Sequence, residues 1–324
     1  MIVSLPFTPF PLASSPHIQT FMGTVVLLHS APSSKQTLVR MEDGDLLSCE
    51  VTTPENWEAG HATVLMVHGL GGSHESAYLL RMCHKLTARG YRVIRMNLRG
   101  CGSGRGHATR SYHSGLSDDL FSVIKAFKEG SPDSRFYVMG FSLGGNIVLK
   151  LAGELEYSAS RWVERFIAIC PPTDLWACTK RISRPSNRVY ERYFVRSLLQ
   201  QVQDNWKAYS ELHKEGFPQC DTILEFDELY TCRLWGYHSA MDYYKQCSAI
   251  KFMPSIRSSC RILLSKDDPV VAPEPVCELD LPSYVEIFTT EYGGHMGFLG
   301  DPRQPEGLRW MDTTLLSWLP EVAV

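Results

Sequence analysis

Residues 136–144 read Phe-Tyr-Val-Met-Gly-Phe-Ser-Leu-Gly, and this segment gives the clearest indication of the fold class. Phe136–Met139 is a short apolar run that is typical of a buried strand, and Asn146–Leu155 has the pattern of a helix. The turn between them contains a Gly-x-Ser-x-Gly pattern with Ser142 at its centre. A serine on such a turn is exposed at the carboxyl end of the strand, and Gly140 and Gly144 allow the chain to pass close to itself. The segment therefore predicts that Ser142 is a nucleophile.

Strands and helices alternate on both sides of this turn. Further apolar strands are predicted at Thr63–Val67, Tyr91–Leu98, Phe166–Cys170, Arg261–Leu264 and Val285–Thr289. Strands that are apolar throughout and alternate with helices form parallel sheets that are covered on both faces. We therefore predict an α/β fold with a mostly parallel central sheet and helices on both faces. The Asp43-Gly44 dipeptide adds a predicted hairpin between Thr37–Met41 and Asp45–Val51.

The alternation stops after Asp174 and resumes near residue 258. Residues 175–257 contain Trp, Tyr and Arg in helix-like patterns without a clear strand, so we predict that they form a helical lid inserted into the core; we call them the insertion. The core is then predicted to comprise residues 36–174 and 258–324. The first 35 residues are rich in Pro and Ser and are predicted to run extended over the surface.

Composition narrows the class of protein. The chain has 324 residues, of which 44% are hydrophobic and 21% charged, so it can bury a sizeable core. A formal net charge of −3 argues against a nucleic-acid partner. No apolar run approaches the roughly 18 residues of a membrane span, and the N-terminal residues do not have the pattern of a signal peptide. The ten cysteines are scattered without a Cys-x-x-Cys pair, which predicts reduced thiols and a cytoplasmic location.

A serine nucleophile needs a base that is oriented by an acid, and on this type of fold the chain order is Ser, Asp or Glu, then His. Asp267-Asp268-Pro269 follows one predicted strand and Gly293-Gly294-His295 follows the next. Both positions lie beyond the carboxyl ends of their strands, at the edge where Ser142 is expected. We predict that His295 is the general base and that Asp268 is its carboxylate, because a residue before Pro is held extended. Asp267 is the alternative.

A third motif, His68-Gly69-Leu70-Gly71-Gly72, comes directly after the predicted strand Thr63–Val67. A backbone N–H from this loop and the N–H that follows the nucleophile form an oxyanion hole on such folds, so Leu70 and Leu143 are the predicted donors. His68 is predicted to shape the loop by hydrogen bonding and not to act as a second base. Together with Gly69, Gly140 and Gly144 it completes the predicted site.

The ordered set His-Gly-x-Gly-Gly, Gly-x-Ser-x-Gly, Asp and His resembles the α/β-hydrolase superfamily. Shorter segments are similar to its YheT-like branch, family 4: Pro16–Thr20, Met96–Gly102, Tyr112–Gly115, Pro171–Leu175 and Tyr292–Phe298. The resemblance covers nearly the whole chain and implies an α/β-hydrolase fold with Ser142 as nucleophile, Asp268 as acid and His295 as base. Members of the branch act on acyl esters and phospholipids. The sequence departs from the pattern at Phe21-Met22, where a tryptophan is expected nearby, and the insertion is not matched.

Together these features predict a serine hydrolase that cleaves carboxylic (acyl) esters through an acyl-enzyme and needs no cofactor. No metal site is predicted, because the histidines and cysteines lack the usual ligand spacing. The predicted partner is a small-molecule or lipid acyl ester, with peripheral membrane contact left open. Two alternatives remain: an acyltransferase that passes the acyl group to an alcohol, and a non-catalytic binding module on a hydrolase fold.

Other features allow two interpretations each. His113 and Ser114 either support the site or, as the sequence favours, form a loop that bonds its own backbone. An arginine series at four-residue spacing either contacts an anionic group near the site or, as favoured, forms a solvated helix face: Arg184, Arg188, Arg192 and Arg196. Aromatic residues of the insertion are predicted to pack on the core, and some of them to line an acyl pocket: Tyr190, Tyr193, Phe194, Trp206, Tyr243 and Tyr244.

Overall fold

A computed structural model describes residues 1–24, 31–204 and 219–321, and in these ranges a single sheet of nine strands forms the centre of the molecule. The strands are β1 (Ile2–Ser4), β2 (Lys35–Arg40), β3 (Leu46–Thr52), β4 (Thr63–Val67), β5 (Arg92–Met96), β6 (Phe136–Phe141), β7 (Arg165–Ile169), β8 (Cys260–Ser265) and β9 (Val285–Thr290). Their spatial order is β1-β9-β8-β7-β6-β4-β5-β3-β2. From β1 to β5 in this order all neighbours are parallel, whereas β3 and β2 pair antiparallel. The mostly parallel sheet and the hairpin β2–β3 are therefore confirmed.

Helices lie on both faces of this sheet. They are α1 (Pro16–Thr24), α2 (Ala77–Thr87), α3 (Ser117–Glu129), α4 (Leu143–Leu155), α5 (Leu175–Ile182), α6 (Arg188–Asp204), α7 (Ile223–Phe226), α8 (Cys232–Trp235), α9 (Ala240–Cys247), α10 (Glu274–Cys277) and α11 (Trp310–Ser317). A π-helix, Asp227–Thr231, joins α7 to α8. Within the ranges that the structure describes, no helix combines the length and the apolarity that crossing a bilayer requires.

Strand β4 illustrates how both faces of the sheet are buried. Val64 and Met66 belong to an apolar cluster with side chains of α2 and α11, while Leu65 and Val67 belong to a second cluster with α3 and α4. All four side chains are completely buried. A strand that packs against helices on both sides must be apolar at every position, and this explains the continuous apolar runs in the sequence.

The N-terminal segment contains more regular structure than the sequence predicted. Ile2–Ser4 pairs in parallel with β9 at the edge of the sheet, and Pro16–Thr24 forms helix α1. The prediction of an extended segment therefore does not hold for helix α1, whereas strand β1 is extended. Helix α1 escaped detection because it buries the polar residues Gln19 and Thr20 and exposes Ile18, the reverse of the usual amphipathic pattern.

Helices α5 to α9 follow β7 and precede β8 in the chain, and the described part of the insertion contains no strand. Residues 205–218, with Trp206, lie outside the described residues. Side chains of α6, α7 and the π-helix form an apolar cluster that packs against Leu70, in the loop after β4. This contact brings the insertion to the carboxyl edge of the sheet, the edge at which β4, β6, β8 and β9 end. That the insertion acts as a lid stays a prediction.

Candidate active site

Ser142 makes the turn between β6 and α4 by itself, since β6 ends at Phe141 and α4 begins at Leu143, three positions earlier than predicted. Its φ of 50° lies in a region that costs a non-glycine residue about 1–3 kcal/mol. A Cβ on Gly144 would come 2.5 Å from the carbonyl oxygen of Val67, and a Cβ on Gly140 would collide with the backbone of Gly144. The tight turn therefore requires both glycines.

Three side chains at the carboxyl edge of the sheet are joined by two hydrogen bonds. Nε2 of His295 lies 2.9 Å from Oγ of Ser142, and Nδ1 of the same ring lies 2.8 Å from Oδ2 of Asp268. Asp268 follows β8 and His295 follows β9, so the parallel strands bring three distant parts of the chain together. Donation from Nδ1 to the carboxylate leaves Nε2 able to accept the serine proton.

The two neighbouring carboxylates, Asp267 and Asp268, have different partners. Asp268 is 1% exposed, and its Oδ1 accepts hydrogen bonds from the amides of Val270 at 2.7 Å and Val271 at 2.8 Å. Oδ1 of Asp267 accepts instead from the amide of Gly294, at 2.9 Å, and from the hydroxyl of Ser265. Asp268 thus contacts the imidazole, while Asp267 ties together the loops that follow β8 and β9.

The loop after β4 lies against the nucleophile. A Cβ on Gly69 would come 3.0 Å from Cβ of Ser142. The amides of Gly69 and Gly71 each donate to a tyrosine hydroxyl, of Tyr78 and Tyr112, at 2.9 Å. Leu70 lies between these two glycines, and no group in the described residues accepts a hydrogen bond from its amide. The amide of Leu143 also has no acceptor there, because Leu143 is the first residue of α4. Both residues line one cavity together with Ser142, as an oxyanion hole would require.

His68 is completely buried behind this loop. Its Nδ1 lies 2.8 Å from the carbonyl oxygen of Gly69, and its Nε2 accepts a hydrogen bond from the amide of Leu98 at 3.1 Å. Burial lowers the pKa of His68 to about 4, so the ring is neutral near pH 7. A neutral ring with both nitrogens bonded to backbone fixes the loop, and that His68 thereby shapes a catalytic site stays a prediction.

The loop with His113 and Ser114 has features of both interpretations that the sequence allowed, since it bonds its own backbone and also lies at the site. Nδ1 of His113 accepts from the amide of Gly115 at 3.1 Å, which is a bond within its own loop. Ser114 donates its amide to the hydroxyl of Tyr243 in α9, at 2.9 Å. Both residues also line the cavity that contains Ser142. The loop is therefore a structural support that forms part of the cavity wall.

Two residues that support the site, Thr20 and Cys170, had no predicted role. The hydroxyl of Thr20 accepts a hydrogen bond from the amide of His295, at 2.8 Å. Cys170 directly follows β7 with a φ of 45°, and its sulfur lies within 4.8 Å of a carboxylate oxygen of Asp268 and a ring nitrogen of His295. Burial and the nearby carboxylate raise the pKa of this thiol well above its usual value. Thr20 lies in a segment quoted for the family resemblance, but the sequence could not show that its hydroxyl meets the backbone of His295.

A cavity extends from Ser142 between the sheet edge and the insertion. Most of its wall is apolar, contributed by Leu70, Leu143, Leu175, Ile182, Phe194, Leu198, Ile223, Phe226, Val270 and Val271. Among the aromatic residues proposed for an acyl pocket, the cavity is lined by Phe194, Tyr243 and Tyr244, whereas Tyr190 and Tyr193 are not part of its wall.

One carboxyl group interrupts this apolar wall. Asp227, in the π-helix, is buried and accepts hydrogen bonds from the hydroxyls of Tyr244 at 2.7 Å and Thr231 at 2.8 Å. Burial raises the pKa of Asp227 to about 6. The sequence did not single out Asp227, because its contact with Tyr244 depends on how α9 packs against the π-helix.

Comparison with known proteins shows which family this chain belongs to. The model of a family described as "Serine aminopeptidase, S33" (Hydrolase_4) matches residues 58–280. YheT of Escherichia coli (strain K12) is 30% identical over 98% of this chain and 93% of its own length. The monoacylglycerol lipase of Saccharomyces cerevisiae is 28% identical over 79% of this chain and 58% of the lipase. Human phospholipase ABHD3 is 25% identical over 88% of this chain and 72% of its own length.

Solved structures share the fold at lower sequence identity. The esterase Pf2001 of Pyrococcus furiosus superposes with a TM-score of 0.56 at 18% identity and covers 98% of this chain and 97% of its own. VinJ gives a TM-score of 0.56 at 19% identity over 89% of this chain and 98% of its own. With the parallel sheet and the length of the sequence matches, these relationships show that the chain belongs to the α/β-hydrolase superfamily, in the Hydrolase_4 family and its YheT-like branch.

Proposed function

We propose that this carboxylic ester hydrolase cleaves acyl esters through a covalent intermediate on Ser142. The observation that carries the proposal is the hydrogen-bonded series Ser142–His295–Asp268, with distances of 2.9 and 2.8 Å. A serine hydroxyl is a weak nucleophile near neutral pH and becomes effective only when a base removes its proton during attack. The buried carboxylate of Asp268 supports the imidazolium that forms at that moment.

The reaction proceeds in two halves. Oγ of Ser142 attacks the carbonyl carbon of the ester while Nε2 of His295 takes the hydroxyl proton. The tetrahedral intermediate collapses when His295 returns this proton to the leaving alcohol, and the acyl group stays on Ser142. A water molecule, deprotonated by the same nitrogen, then attacks the acyl-enzyme. The second tetrahedral intermediate releases the carboxylic acid when His295 returns the proton to Oγ of Ser142.

The amides of Leu70 and Leu143 are the proposed donors to the negative oxygen of both tetrahedral intermediates. Each such donor contributes about 3 kcal/mol to the stability of the transition state. Two features support the assignment: neither amide donates to another described group, and both residues line the cavity with Ser142. The buried ring of His68 keeps the Leu70 loop in this position through its bond to the carbonyl of Gly69.

We further propose that the substrates are lipid acyl esters, with the acyl chain in the apolar cavity. A cavity with a mostly aliphatic and aromatic wall that opens from Ser142 suits a hydrocarbon chain. The relatives support the same class, since one carries the name monoacylglycerol lipase and another phospholipase.

The test combines active-site labelling with hydrolysis of p-nitrophenyl esters of increasing chain length. Wild type is expected to react with a fluorophosphonate probe and to prefer longer acyl chains. Ser142→Ala is expected to stay folded, to lose labelling and to lose hydrolysis by about three orders of magnitude or more. Ser158→Ala is the matched control, because Ser158 is exposed and its hydroxyl donates to the nearby carbonyl of Leu155.

Each alternative has its own result in this experiment. A wild type that the probe does not label, and that hydrolyses no ester, would be a binding module. Formation of a new ester in preference to free acid, when an alcohol is added, would identify an acyltransferase. Hydrolysis by Ser142→Ala at the wild-type rate would contradict the assignment of the nucleophile.

A further inference from the structure

Helix α1 presents an apolar face to solvent. Ile18, Phe21 and Met22 are exposed, with Phe21 68% accessible, whereas Gln19 and Thr20 on the opposite side are buried. The three apolar residues lie at helical spacing and therefore form one stripe. Single exposed apolar residues are common. A contiguous apolar stripe on a helix that buries its polar side chains instead indicates a surface that binds another molecule or a membrane.

Helix α6 presents a basic face beside it. Arg188, Arg192 and Arg196 are exposed and alternate with Val189, 66% accessible, and Tyr193, 64% accessible. The opposite side of α6 is buried in the apolar cluster of the insertion. In the described part of the chain, none of the three guanidinium groups lies within ion-pair distance of a carboxylate.

The exposed sides of the two helices adjoin. Nδ1 of His17 in α1 lies 3.0 Å from the hydroxyl of Tyr190 in α6, and the two rings stack with centroids 5.7 Å apart. We define the α1–α6 face as the exposed residues on both sides of this contact: Ile18, Phe21, Met22, Arg188, Val189, Arg192, Tyr193 and Arg196.

This face borders the catalytic cavity. On the inner side of α1, Thr20 contacts the backbone of His295. On the inner side of α6, Phe194 and Leu198 line the cavity together with Ser142. A surface that touched the α1–α6 face would therefore lie at the edge of the active site.

We propose that the α1–α6 face docks on the anionic surface of a lipid bilayer. Its apolar side chains enter the boundary between headgroups and acyl chains, and its arginines contact lipid phosphates, which is the usual division in interfacial helices. Charge complementarity supports this occupant: the whole chain carries a net charge of −3, yet the one acidic residue in the first turn of α6, Glu191, is buried and accepts a hydrogen bond from Ser183.

A second copy of the chain fits this face less well. In a symmetric dimer the same patch contacts itself, so the arginines of both copies would be brought together without acidic partners. Anionic headgroups provide the missing charge, and each arginine near such a surface strengthens binding by roughly fivefold.

Co-sedimentation with vesicles tests the proposal on the full chain. Ser142→Ala is used throughout so that no lipid is hydrolysed, and binding in this background does not depend on the proposed catalytic role. The vesicles contain phosphatidylcholine alone or phosphatidylcholine mixed with phosphatidylglycerol. We expect binding to the mixed vesicles, much weaker binding to the neutral ones, and a decrease as salt is added.

Two double variants separate the apolar and the basic parts of the face. The first variant carries Phe21→Ser and Met22→Ser, and the second carries Arg188→Gln and Arg192→Gln. Each is expected to weaken binding to the mixed vesicles by about tenfold or more. The matched controls are Tyr157→Ser and Arg135→Gln. Tyr157 follows the C-terminal end of α4 and Arg135 precedes β6, so both exposed residues lie at the opposite edge of the sheet. Thermal unfolding checks that every variant is folded.

The controls are expected to bind as the parent does. The proposal is overturned if the parent does not bind mixed vesicles, or if the α1–α6 variants bind as tightly as the controls. It is also overturned if the parent is a dimer in sedimentation velocity and the Phe21→Ser, Met22→Ser variant is a monomer, because the face is then an interface between copies. None of these results bears on labelling of Ser142, so the proposed hydrolysis is judged separately.

Discussion

The backbone N–H of His295 donates a hydrogen bond to the hydroxyl of Thr20, at 2.8 Å, although 275 positions separate the two residues in the chain. The same hydroxyl donates to the carbonyl of Pro16 at 2.7 Å, so it is both a hydrogen-bond donor and an acceptor. Beside it, the side-chain oxygen of Gln19 accepts from the amide of Leu299 at 2.7 Å. Helix α1 therefore fixes the loop that carries the proposed general base.

This contact predicts that Thr20 is a positioning residue. In Thr20→Val the buried amide of His295 loses its acceptor, which costs about 1–3 kcal/mol and lets the imidazole move relative to Ser142. We expect kcat to fall about tenfold or more while KM for a soluble ester changes little. Steady-state kinetics and thermal unfolding measure the two effects.

The conservative variant Thr20→Ser distinguishes positioning from general packing. Serine keeps the hydroxyl and loses only a methyl group, so it should restore most of the kcat that Thr20→Val loses. Equal losses in both variants would show that this position is sensitive to any change in side-chain packing, and would contradict a positioning role for the hydrogen bond.

The parallel sheet explains why so much of the candidate site could be predicted from the sequence. In such a sheet every βα loop opens at the same edge, so motifs after β4, β6, β8 and β9 must lie near one another. The sequence showed each motif directly after an apolar run. Residues far apart in the chain, Ser142 and His295, could therefore be assigned to one place without coordinates.

Other features depend on tertiary contacts that leave no local pattern. Helix α1 buries Gln19 because that side chain satisfies the backbone of Leu299, a contact that periodicity cannot show. Asp227 is buried only because the π-helix turns it toward Tyr244. The sequence based the choice of Asp268 over Asp267 on Pro269, but the contact of the Asp268 carboxylate with the ring of His295 depends on the path of the chain after β8.

That choice leads to a second prediction, which compares the two neighbouring carboxylates. Asp268→Asn removes the charge that orients and stabilises the imidazole, so we expect kcat to fall by about three to four orders of magnitude. Asp267→Asn keeps an oxygen that accepts from Gly294 and Ser265, and its kcat should fall less than tenfold. Both are measured with the same soluble ester at saturating concentration. The reverse order of effects would make Asp267 the acid.

A third prediction concerns acid unfolding and His113. Burial, with the nearby positive charges of Lys150, Arg99 and Arg110, lowers the pKa of His113 to about 3 in the folded protein. The unfolded chain, in which histidine titrates near 6.5, then binds the proton first. The free energy of unfolding should fall as pH drops below 6.5, by about 2 kcal/mol from this residue between pH 7 and pH 5.

The variant His113→Asn keeps an acceptor for the amide of Gly115 and removes the titration. Urea denaturation at pH 7 and pH 5 should show a smaller loss of stability in this variant than in wild type. His238→Asn, which replaces an exposed histidine, serves as the matched control. Identical losses in wild type and His113→Asn would mean that the ring is not held neutral by the fold.

Asp227 predicts a pH dependence of the opposite sign. Burial raises the pKa of its carboxyl to about 6 in the folded state, against 3.8 for the ordinary group, so here the folded protein binds the proton more tightly. The charged carboxylate destabilises the fold above pH 6, and this cost disappears as pH falls through 6 toward 3.8.

In Asp227→Asn the cost is absent at every pH. We expect the variant to be more stable than wild type at pH 8, by about 1–3 kcal/mol, and this difference to fall to about a third of that value near pH 4.5. Urea denaturation at both pH values, with the exposed Asp133→Asn as control, measures the difference. A variant that is less stable than wild type at pH 8 would show that the bonds from Tyr244 and Thr231 more than offset the cost of burying the charge.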